Sequence, residues 1–277
     1  MKINLDKYYT PVKLANYCYD KVIELIGEEN ISDIVEPSVG NGSFFNHPIT
    51  KMKPIVGIDI EPDIYVEKVI TYNWLEYPIE YKPGRLIIGN PPYGSRMNLA
   101  QKFFKKSVNV CDYVAFILPI SQLNNTQSLY EFDLIYSEDL GTFEYSGIPL
   151  HCCFNIYQRP KNGELNKRTS NKLPFVKICR NDSKSFNDFV YDLRMCAWGD
   201  GTAGKILSEG EHYSAEYKIK VDDNHPLHDE IVQYLKDFNW REYLNCIAMR
   251  KIQQFHIINI LKEKFNFETL KRNGKSI

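Results

Sequence analysis

The sequence has 277 residues, of which 43% are apolar and 25% charged, and its 34 basic and 35 acidic side chains leave a formal net charge of −1. These values are close to the soluble globular average and indicate one to two domains. No apolar run approaches the ~20 residues that span a bilayer, and the first residues lack the apolar core of a signal peptide. The balanced charge by itself argues against a nucleic-acid partner, since such proteins usually carry a basic surplus.

The first 160 residues alternate between helical and strand-like patterns. Apolar side chains recur at helical spacing over 12–27 and 98–110. Short apolar runs separate the helices, at 31–35, 54–60, 85–89 and 113–118. This alternation predicts a parallel, doubly wound α/β sheet, in which a ligand binds beyond the C-terminal ends of the strands. Polar residues that follow successive strand-like runs should therefore line one edge of the sheet: Glu36, Asp59, Asn73 and Asn90.

The pattern changes after residue 160. Residues 161–172 are polar and have no apolar period, which indicates a linker or mobile loop. Residues 173–221 mix strand-like pieces with a glycine-rich turn at 198–204, and residues 226–265 are helical by pattern, notably 247–262. We therefore predict two domains, 1–160 and 161–277, the second being a smaller α/β domain.

The two predicted domains carry opposite charge. Residues 1–160 hold 14 basic and 19 acidic side chains, whereas residues 161–277 hold 20 basic and 16 acidic ones. Two segments of the second domain, 161–180 and 247–277, are especially basic and could contact phosphates. The near-zero total is a cancellation between domains and does not exclude a nucleic-acid partner.

The cysteine and histidine patterns predict no metal site. No two cysteines form a C-x-x-C pair, so the sequence has no zinc-ribbon or thioredoxin signature. The seven cysteines are Cys18, Cys111, Cys152, Cys153, Cys179, Cys196 and Cys246. We expect reduced, mostly buried thiols in an intracellular, cytoplasmic protein. His225 and His228 lack an acid or cysteine at matching spacing and are expected to pack at the start of a helix.

The tetrapeptide Asn90-Pro91-Pro92-Tyr93 follows the apolar run 85–89 and so stands at the end of a predicted strand. Two consecutive prolines fix the backbone and remove two N–H donors. The Asn90 side chain and the Pro91 carbonyl are then two acceptors in a rigid arrangement, which suits an amino group with two hydrogens to donate. Tyr93 adds an aromatic face for a planar ring.

This motif resembles that of the S-adenosylmethionine-dependent N6-adenine methyltransferases, which carry N/D-P-P-Y/F. The resemblance implies that Asn90 and Pro91 hold the exocyclic N6 with its lone pair toward the donor methyl. It also implies that Tyr93 stacks on an adenine flipped out of the duplex. No general base is required before attack, because the sulfonium is a strong leaving group and positioning does most of the work. The cofactor product would be S-adenosylhomocysteine.

Residues 33–45 resemble the family's first cofactor motif, in which an acid closes a strand and a glycine-rich loop leads into a helix. The resemblance assigns Glu36, Pro37, Gly40 and Gly42 to the cofactor site. The two glycines would let the backbone approach the methionine part of the cofactor closely.

Residues 56–62 resemble the second cofactor motif, in which Asp59 would accept both ribose hydroxyls and Ile60 would adjoin the cofactor. Asn73 and Trp74 match the third motif. There, Asn73 would accept from the cofactor's adenine amino group and Trp74 would stack on that ring. The family usually has Asp at the position of Asn73.

Residues 7–11 resemble the tenth motif, whose Thr-Pro element touches the cofactor carboxylate. This resemblance adds Tyr9, Thr10 and Pro11 to the expected cofactor site.

Residues 149–159 resemble the eighth motif, an outer strand whose aromatic side chain stacks on the opposite face of the target base. Phe154 and Tyr157 both qualify. Because they lie three positions apart, they face opposite ways in a strand and only one of them should stack, with Phe154 preferred.

The motif order, with the tenth first and an extra domain last, resembles the gamma group of these enzymes. It implies a Rossmann-like class I methyltransferase domain with a seven-stranded mixed sheet, whose reversed outer strand comes from residues 150–158. The C-terminal domain would then recognise double-stranded DNA at a specific sequence. The resemblance also allows a cognate restriction endonuclease as a partner.

Three other functions are consistent with parts of the pattern. The target could be an RNA adenine, since the base is extruded in either case. The same tetrapeptide occurs in glutamine methyltransferases that modify release factors, but those carry a helical domain before the first cofactor motif and end soon after the sheet. A non-catalytic binding subunit is the third alternative, and the intact tetrapeptide with Gly40, Gly42 and Asp59 argues against it.

Overall fold

A computed structural model describes residues 9–64, 66–145, 148–168, 172–199, 201–244 and 251–267. The chain divides into two compact units, one ending at Lys167 and the other beginning at Arg168. Residues 161–167 thus belong with the first unit, seven residues beyond the boundary expected from sequence. Asn166 accounts for this, because its backbone N–H donates to the Glu131 carbonyl at 2.8 Å and its side chain donates to Asp133 at 2.7 Å.

The first unit is a mixed sheet with helices on its faces. Its strand order is β3-β2-β1-β4-β5-β7-β6, and β7 runs antiparallel to both β5 and β6 while the other neighbouring strands are parallel. This sheet confirms the predicted fold class, including the reversed outer strand. The elements are α1 Val12–Ile26, β1 Asp33–Glu36, α2 Ile49–Met52, β2 Ile55–Asp59, β3 Val69–Thr71, β4 Arg85–Gly89, α3 Asn98–Ser107, β5 Tyr113–Pro119, β6 Asp133–Tyr145 and β7 Ile148–Gln158.

The central strands form because they are apolar on both faces. Every residue of β4 is buried, as are the five middle residues of β5, which is the pattern of parallel strands covered by helices on both sides. On one face, α1 packs its apolar stripe of Leu14, Cys18 and Val22 against the sheet. Gly27 follows α1 with φ +83°, a conformation that ends the helix and favours glycine.

The second unit contains a three-stranded antiparallel sheet and helices. Its strands β8 Val176–Arg180, β9 Leu193–Cys196 and β10 Glu216–Val221 lie in the order β8-β10-β9. Three helices follow in the described residues, namely α4 His228–Asp237, α5 Trp240–Leu244 and α6 Gln254–Phe265. No helix in the described ranges is long and apolar enough to cross a membrane.

The predicted helix over 247–262 is wrong at residues 251–253, the first of this range that the structure describes. Lys251 forms an isolated β-bridge with Trp198, so the chain is extended there. The helix begins only at Gln254, where a reciprocal capping box joins Gln253 and His256. Apolar spacing does not reveal this start, because the long-range backbone pairing of Lys251 with Trp198 determines where the helix can begin. Residues 247–250 and 268–277 lie outside the described residues.

An acidic cluster in the second unit is paired with a lysine side chain. Asp192, Asp223 and His228 bring their ligand atoms within 4.8 Å of one another. The Lys220 ammonium lies 2.7 Å from Asp192 and 2.5 Å from Asp223, so the group is an ion-pair network. His225 stacks on Phe175 with ring centroids 4.0 Å apart, at the start of the helical region. All cysteines in the described ranges are buried.

Candidate functional site

The C-terminal ends of β2, β1 and β4 meet at one edge of the sheet. Because these strands are adjacent and parallel, Asp59, Glu36 and Asn90 follow or end neighbouring strands, as the sequence predicts. A small cleft opens at this edge. Its lining includes Tyr9, Thr10, Glu36, Gly40, Asn41 and Asn90.

The glycine-rich loop shapes one wall of the cleft. Gly40 has φ +52° and Gly42 has φ +77°, which are left-handed conformations that favour glycine. A Cβ on Gly40 would lie 3.4 Å from the Tyr9 ring, and one on Gly42 would lie 2.3 Å from Ile64 Cδ1. The loop therefore presents bare backbone at the cleft and brings Tyr9 against it.

Asp59 is held rigidly at the end of β2. One carboxylate oxygen accepts the Gly40 N–H at 2.8 Å and the other accepts the Glu61 N–H at 2.8 Å. Each oxygen keeps a lone pair for a further donor. Ile60 follows with 49% of its side chain exposed, so an apolar surface adjoins the acid at the strand end. This pair of residues suits a ribose and an adjoining ring.

Glu36 is a buried acid beside the cleft. The residue is 1% exposed, and its Oε2 atom accepts no hydrogen bond from any residue that the structure describes. Burial and, next, the negative charge of Asp59 raise the pKa of the Glu36 carboxyl well above its usual range. A buried acid without a partner is costly unless a ligand supplies one. The Glu36 carboxyl can therefore bind a hydrogen-bond donor or a positively charged group of a ligand in the cleft.

Asn90 is fixed by contacts with both neighbouring segments. Its side-chain nitrogen donates to the Thr10 hydroxyl at 3.2 Å, and its backbone carbonyl accepts from the Ser38 hydroxyl at 3.2 Å. Since the amide group is planar, holding the nitrogen also fixes the direction of the Oδ1 acceptor. Thr10 itself is 5% exposed, and its carbonyl accepts from Ser43 at 2.5 Å. Pro11 is the residue immediately before α1.

The rest of the tetrapeptide lies partly against the core. Pro91 is buried, and Pro92 and Tyr93 are half-buried. The Tyr93 hydroxyl lies 3.5 Å from the Cys152 sulfur on β7, so the ring is placed between the end of β4 and the outer antiparallel pair. Pro37 is also buried.

Phe154 and Tyr157 are core residues, contrary to the prediction that one of them stacks on a target base. They do lie on opposite faces of β7, but both have 0% exposure. Phe154 belongs to the cluster beneath α1, and Tyr157 packs edge-on to Phe104 of α3 with centroids 4.8 Å apart. The physical reason is that β7 is the second-to-last strand and is covered on both faces.

In the third predicted cofactor motif, Trp74 is buried in the protein interior. Trp74 is 1% exposed, and the Lys106 ammonium lies 5.2 Å from its ring centroid. The structure therefore does not support stacking of Trp74 on a cofactor ring. Asn73 is half-buried, and its side chain accepts from the Leu75 N–H at 3.1 Å and donates to Glu76 at 3.0 Å.

Sequence reasoning missed three polar residues at the cleft. Ser38, Asn41 and Ser43 all line it, and the Ser43 hydroxyl also lies 2.8 Å from the Asn41 side chain. All three stand inside the glycine-rich loop that the sequence had singled out. Asn41 lies between Gly40 and Gly42, and Ser38 and Ser43 lie within two residues of a glycine, which was the available signal.

Known proteins that resemble this chain are methyltransferases. The Type II methyltransferase M.CvrRI of Paramecium bursaria Chlorella virus XZ-6E is 27% identical over an alignment covering 46% of this chain. The alignment spans only 40% of that relative's length. No protein-family model matches the chain.

Two solved structures with a similar arrangement are also methyltransferases. A proposed RNA methyltransferase from Pyrococcus horikoshii is 15% identical with a TM-score of 0.46, covering 57% of this chain and 89% of that one. The magnesium protoporphyrin IX methyltransferase of Synechocystis PCC 6803, solved with S-adenosylmethionine bound, is 10% identical with a TM-score of 0.39, covering 54% and 81%. At such identities the likeness concerns the fold alone.

Proposed function

We propose that this protein transfers a methyl group from S-adenosylmethionine to the N6 amino group of adenine at a specific site in double-stranded DNA. One observation carries the proposal: the anchored Asn90 amide and the unpartnered Glu36 carboxyl line the same cleft, beside a glycine loop in left-handed conformations. A donor pocket and an acceptor for an amino group thus adjoin each other at one sheet edge.

The residues present fit the cofactor. Asp59 offers two fixed acceptors for the ribose hydroxyls, and Ile60 offers an exposed apolar side chain next to them. The bare backbone at Gly40 and Gly42 admits close approach of the methionine part. Glu36 offers a negative charge or an acceptor to a ligand that carries positive charge. When bound, S-adenosylmethionine supplies an activated methyl group on a sulfonium.

The tetrapeptide would do its work by positioning. Asn90 Oδ1 and the Pro91 carbonyl accept the two N6 hydrogens, which directs the nitrogen lone pair away from both acceptors and toward the donor. Thr10 keeps the Asn90 amide from rotating. Tyr93 stacks on one face of the extruded adenine, with its hydroxyl held near Cys152.

Two features favour DNA as the polymer. The relative from the Chlorella virus is described as a Type II methyltransferase, and the second half of this chain carries 20 basic side chains against 16 acidic ones, as a phosphate-contacting domain would. RNA adenine is the alternative substrate, and the experiment below distinguishes the two.

The decisive experiment is single-molecule methylation mapping of DNA from cells that express the protein, beside mass spectrometry of their RNA nucleosides. We expect N6-methyladenine at one short DNA sequence in every copy. Methylation confined to RNA, or to cytosine, would refute the proposal. A purified protein that binds S-adenosylmethionine but methylates no adenine-containing polymer would point to a binding subunit instead.

Asn90→Ala tests the mechanism directly. It removes the Oδ1 acceptor and the bond to Thr10, so turnover on duplex DNA should fall below detection while the Kd for S-adenosylmethionine, measured by calorimetry, changes little. Asn109→Ala is the matched control, because Asn109 is exposed and bonds only to a backbone carbonyl at the end of α3. Full activity of Asn90→Ala would exclude the proposed mechanism.

A further inference from the structure

A short loop projects immediately after the catalytic tetrapeptide. The Tyr93 carbonyl accepts the backbone N–H groups of Leu99 at 3.1 Å and of Ala100 at 3.4 Å. These bonds close a loop over residues 94–97 before α3 begins at Asn98. The loop is therefore tied at its base to Tyr93, and its position follows that of the proposed adenine site.

The loop backbone is strained at two consecutive residues that are not glycine. Arg96 has φ +52° and Met97 has φ +66°, a conformation that side-chain-bearing residues rarely adopt. Met97 is 7% exposed and anchors the loop in the protein, whereas Arg96 is exposed. Strain of this kind persists where the surrounding structure enforces it, and it is concentrated at functional sites.

The charge of Arg96 is available at this edge of the sheet. Arg96 makes no ion pair with any residue in the described ranges. By contrast, Arg85 pairs with Asp33 at 3.1 Å and Arg159 pairs with Asp112 at 3.0 Å. Those two pairs lie at the opposite edge, since Asp33 and Arg85 begin their parallel strands.

The unit that carries this loop has a net negative charge. The first 160 residues hold 14 basic and 19 acidic side chains, so the unit as a whole repels phosphates. A guanidinium beside the tetrapeptide supplies a local attraction, and its planar fork can donate two parallel hydrogen bonds to one phosphate group.

We propose that Arg96 binds a backbone phosphate next to the target adenosine and so positions that nucleotide against Asn90 and Tyr93. The inference rests on the proposed function, because it takes the DNA strand as the ligand. Phosphate contacts of this kind fix register and orientation without reading sequence. Arg96 is thus a positioning residue whose loss should affect all DNA sites equally.

Three variants separate charge, geometry and backbone. Arg96→Gly removes the guanidinium and suits the left-handed backbone, Arg96→Lys keeps the charge but loses the fork, and Lys105→Ala removes an exposed charge from the last turn of α3. The probe is a labelled duplex oligonucleotide carrying the mapped methylation site, bound at several concentrations of potassium chloride in the presence of S-adenosylhomocysteine.

We expect Arg96→Gly to weaken duplex binding about tenfold and to reduce the slope of log affinity against log salt by about 0.9, the value for one phosphate contact. Its melting temperature should equal or exceed that of the wild type, because glycine accepts the positive φ. Arg96→Lys should keep the salt slope but lose part of kcat/KM for DNA. Lys105→Ala should match the wild type in both.

An unchanged salt slope and unchanged affinity in Arg96→Gly would overturn the inference. Failure of the proposed function has a different signature, since the wild-type protein would then neither methylate nor bind the duplex. The Kd for S-adenosylmethionine should stay the same in all three variants, and a change there would assign Arg96 to the cofactor site instead.

Discussion

The buried Glu36 carboxyl should make the stability of the empty protein fall as pH rises, and Glu36→Gln should remove that effect. Because burial and Asp59 raise the pKa of Glu36 in the folded state, the folded protein holds a proton that the unfolded chain releases above its ordinary Glu pKa of about 4.3. Above that pH the folded state binds more protons than the unfolded state, so each further unit of pH costs stability until the folded pKa is reached.

The size of the effect follows from this linkage. While Glu36 stays protonated in the folded state and ionised in the unfolded state, the cost is about 1.4 kcal/mol per pH unit. Glutamine has nearly the same shape and no charge, so the variant should gain roughly 1 kcal/mol relative to wild type between pH 5 and pH 6. Urea unfolding of the cofactor-free protein at both pH values measures this difference.

Glu67→Gln is the matched control, because Glu67 is an exposed acid of the same unit. Its stability difference from wild type should be the same at pH 5 and pH 6. If Glu36→Gln also gave a pH-independent difference, Glu36 would be ionised in the folded state and the account of an acid without a partner would be wrong.

Three further substitutions test the cleft and the core. Asp59→Ala should weaken S-adenosylmethionine binding at least tenfold by calorimetry, and an unchanged Kd would place the ribose contact elsewhere. Gly42→Ala should cost about 1–2 kcal/mol in urea unfolding, because it puts a side chain at φ +77°; equal stability would contradict the left-handed loop. Phe154→Ala should cost about 3–5 kcal/mol of unfolding free energy as a buried core residue, whereas normal stability with lost DNA binding would restore its base-stacking role.

Local sequence patterns predicted the helices and strands whose formation depends on neighbouring residues in the chain. The apolar run 85–89 is β4, and the helical spacing over 12–27 is α1 with Gly27 at its end. The strand-end positions of Glu36, Asp59 and Asn90 followed from the parallel topology that these elements implied. Each of these inferences needed only spacing and residue type.

Predictions failed where a distant part of the chain decides the environment. Phe154 and Tyr157 look like available aromatics in sequence, yet two layers cover β7 and bury both. The Lys106 ammonium covers part of the Trp74 ring, and Lys106 lies 32 residues further along the chain, on α3. The start of α6 depends on the bridge between Lys251 and Trp198. None of these contacts leaves a periodic trace in the sequence.

The hydrogen bond between Thr10 and Asn90 joins positions 80 residues apart in the chain, which has a consequence for how the protein folds. Closing a loop of this length costs conformational entropy, and the contact becomes favourable only after the intervening strands have formed. The cleft should therefore be completed late in folding and should be among the first regions to open by local unfolding. A ligand bound across this bond would hold the segment before α1 and the end of the central strand β4 together, and so would slow that opening at this edge.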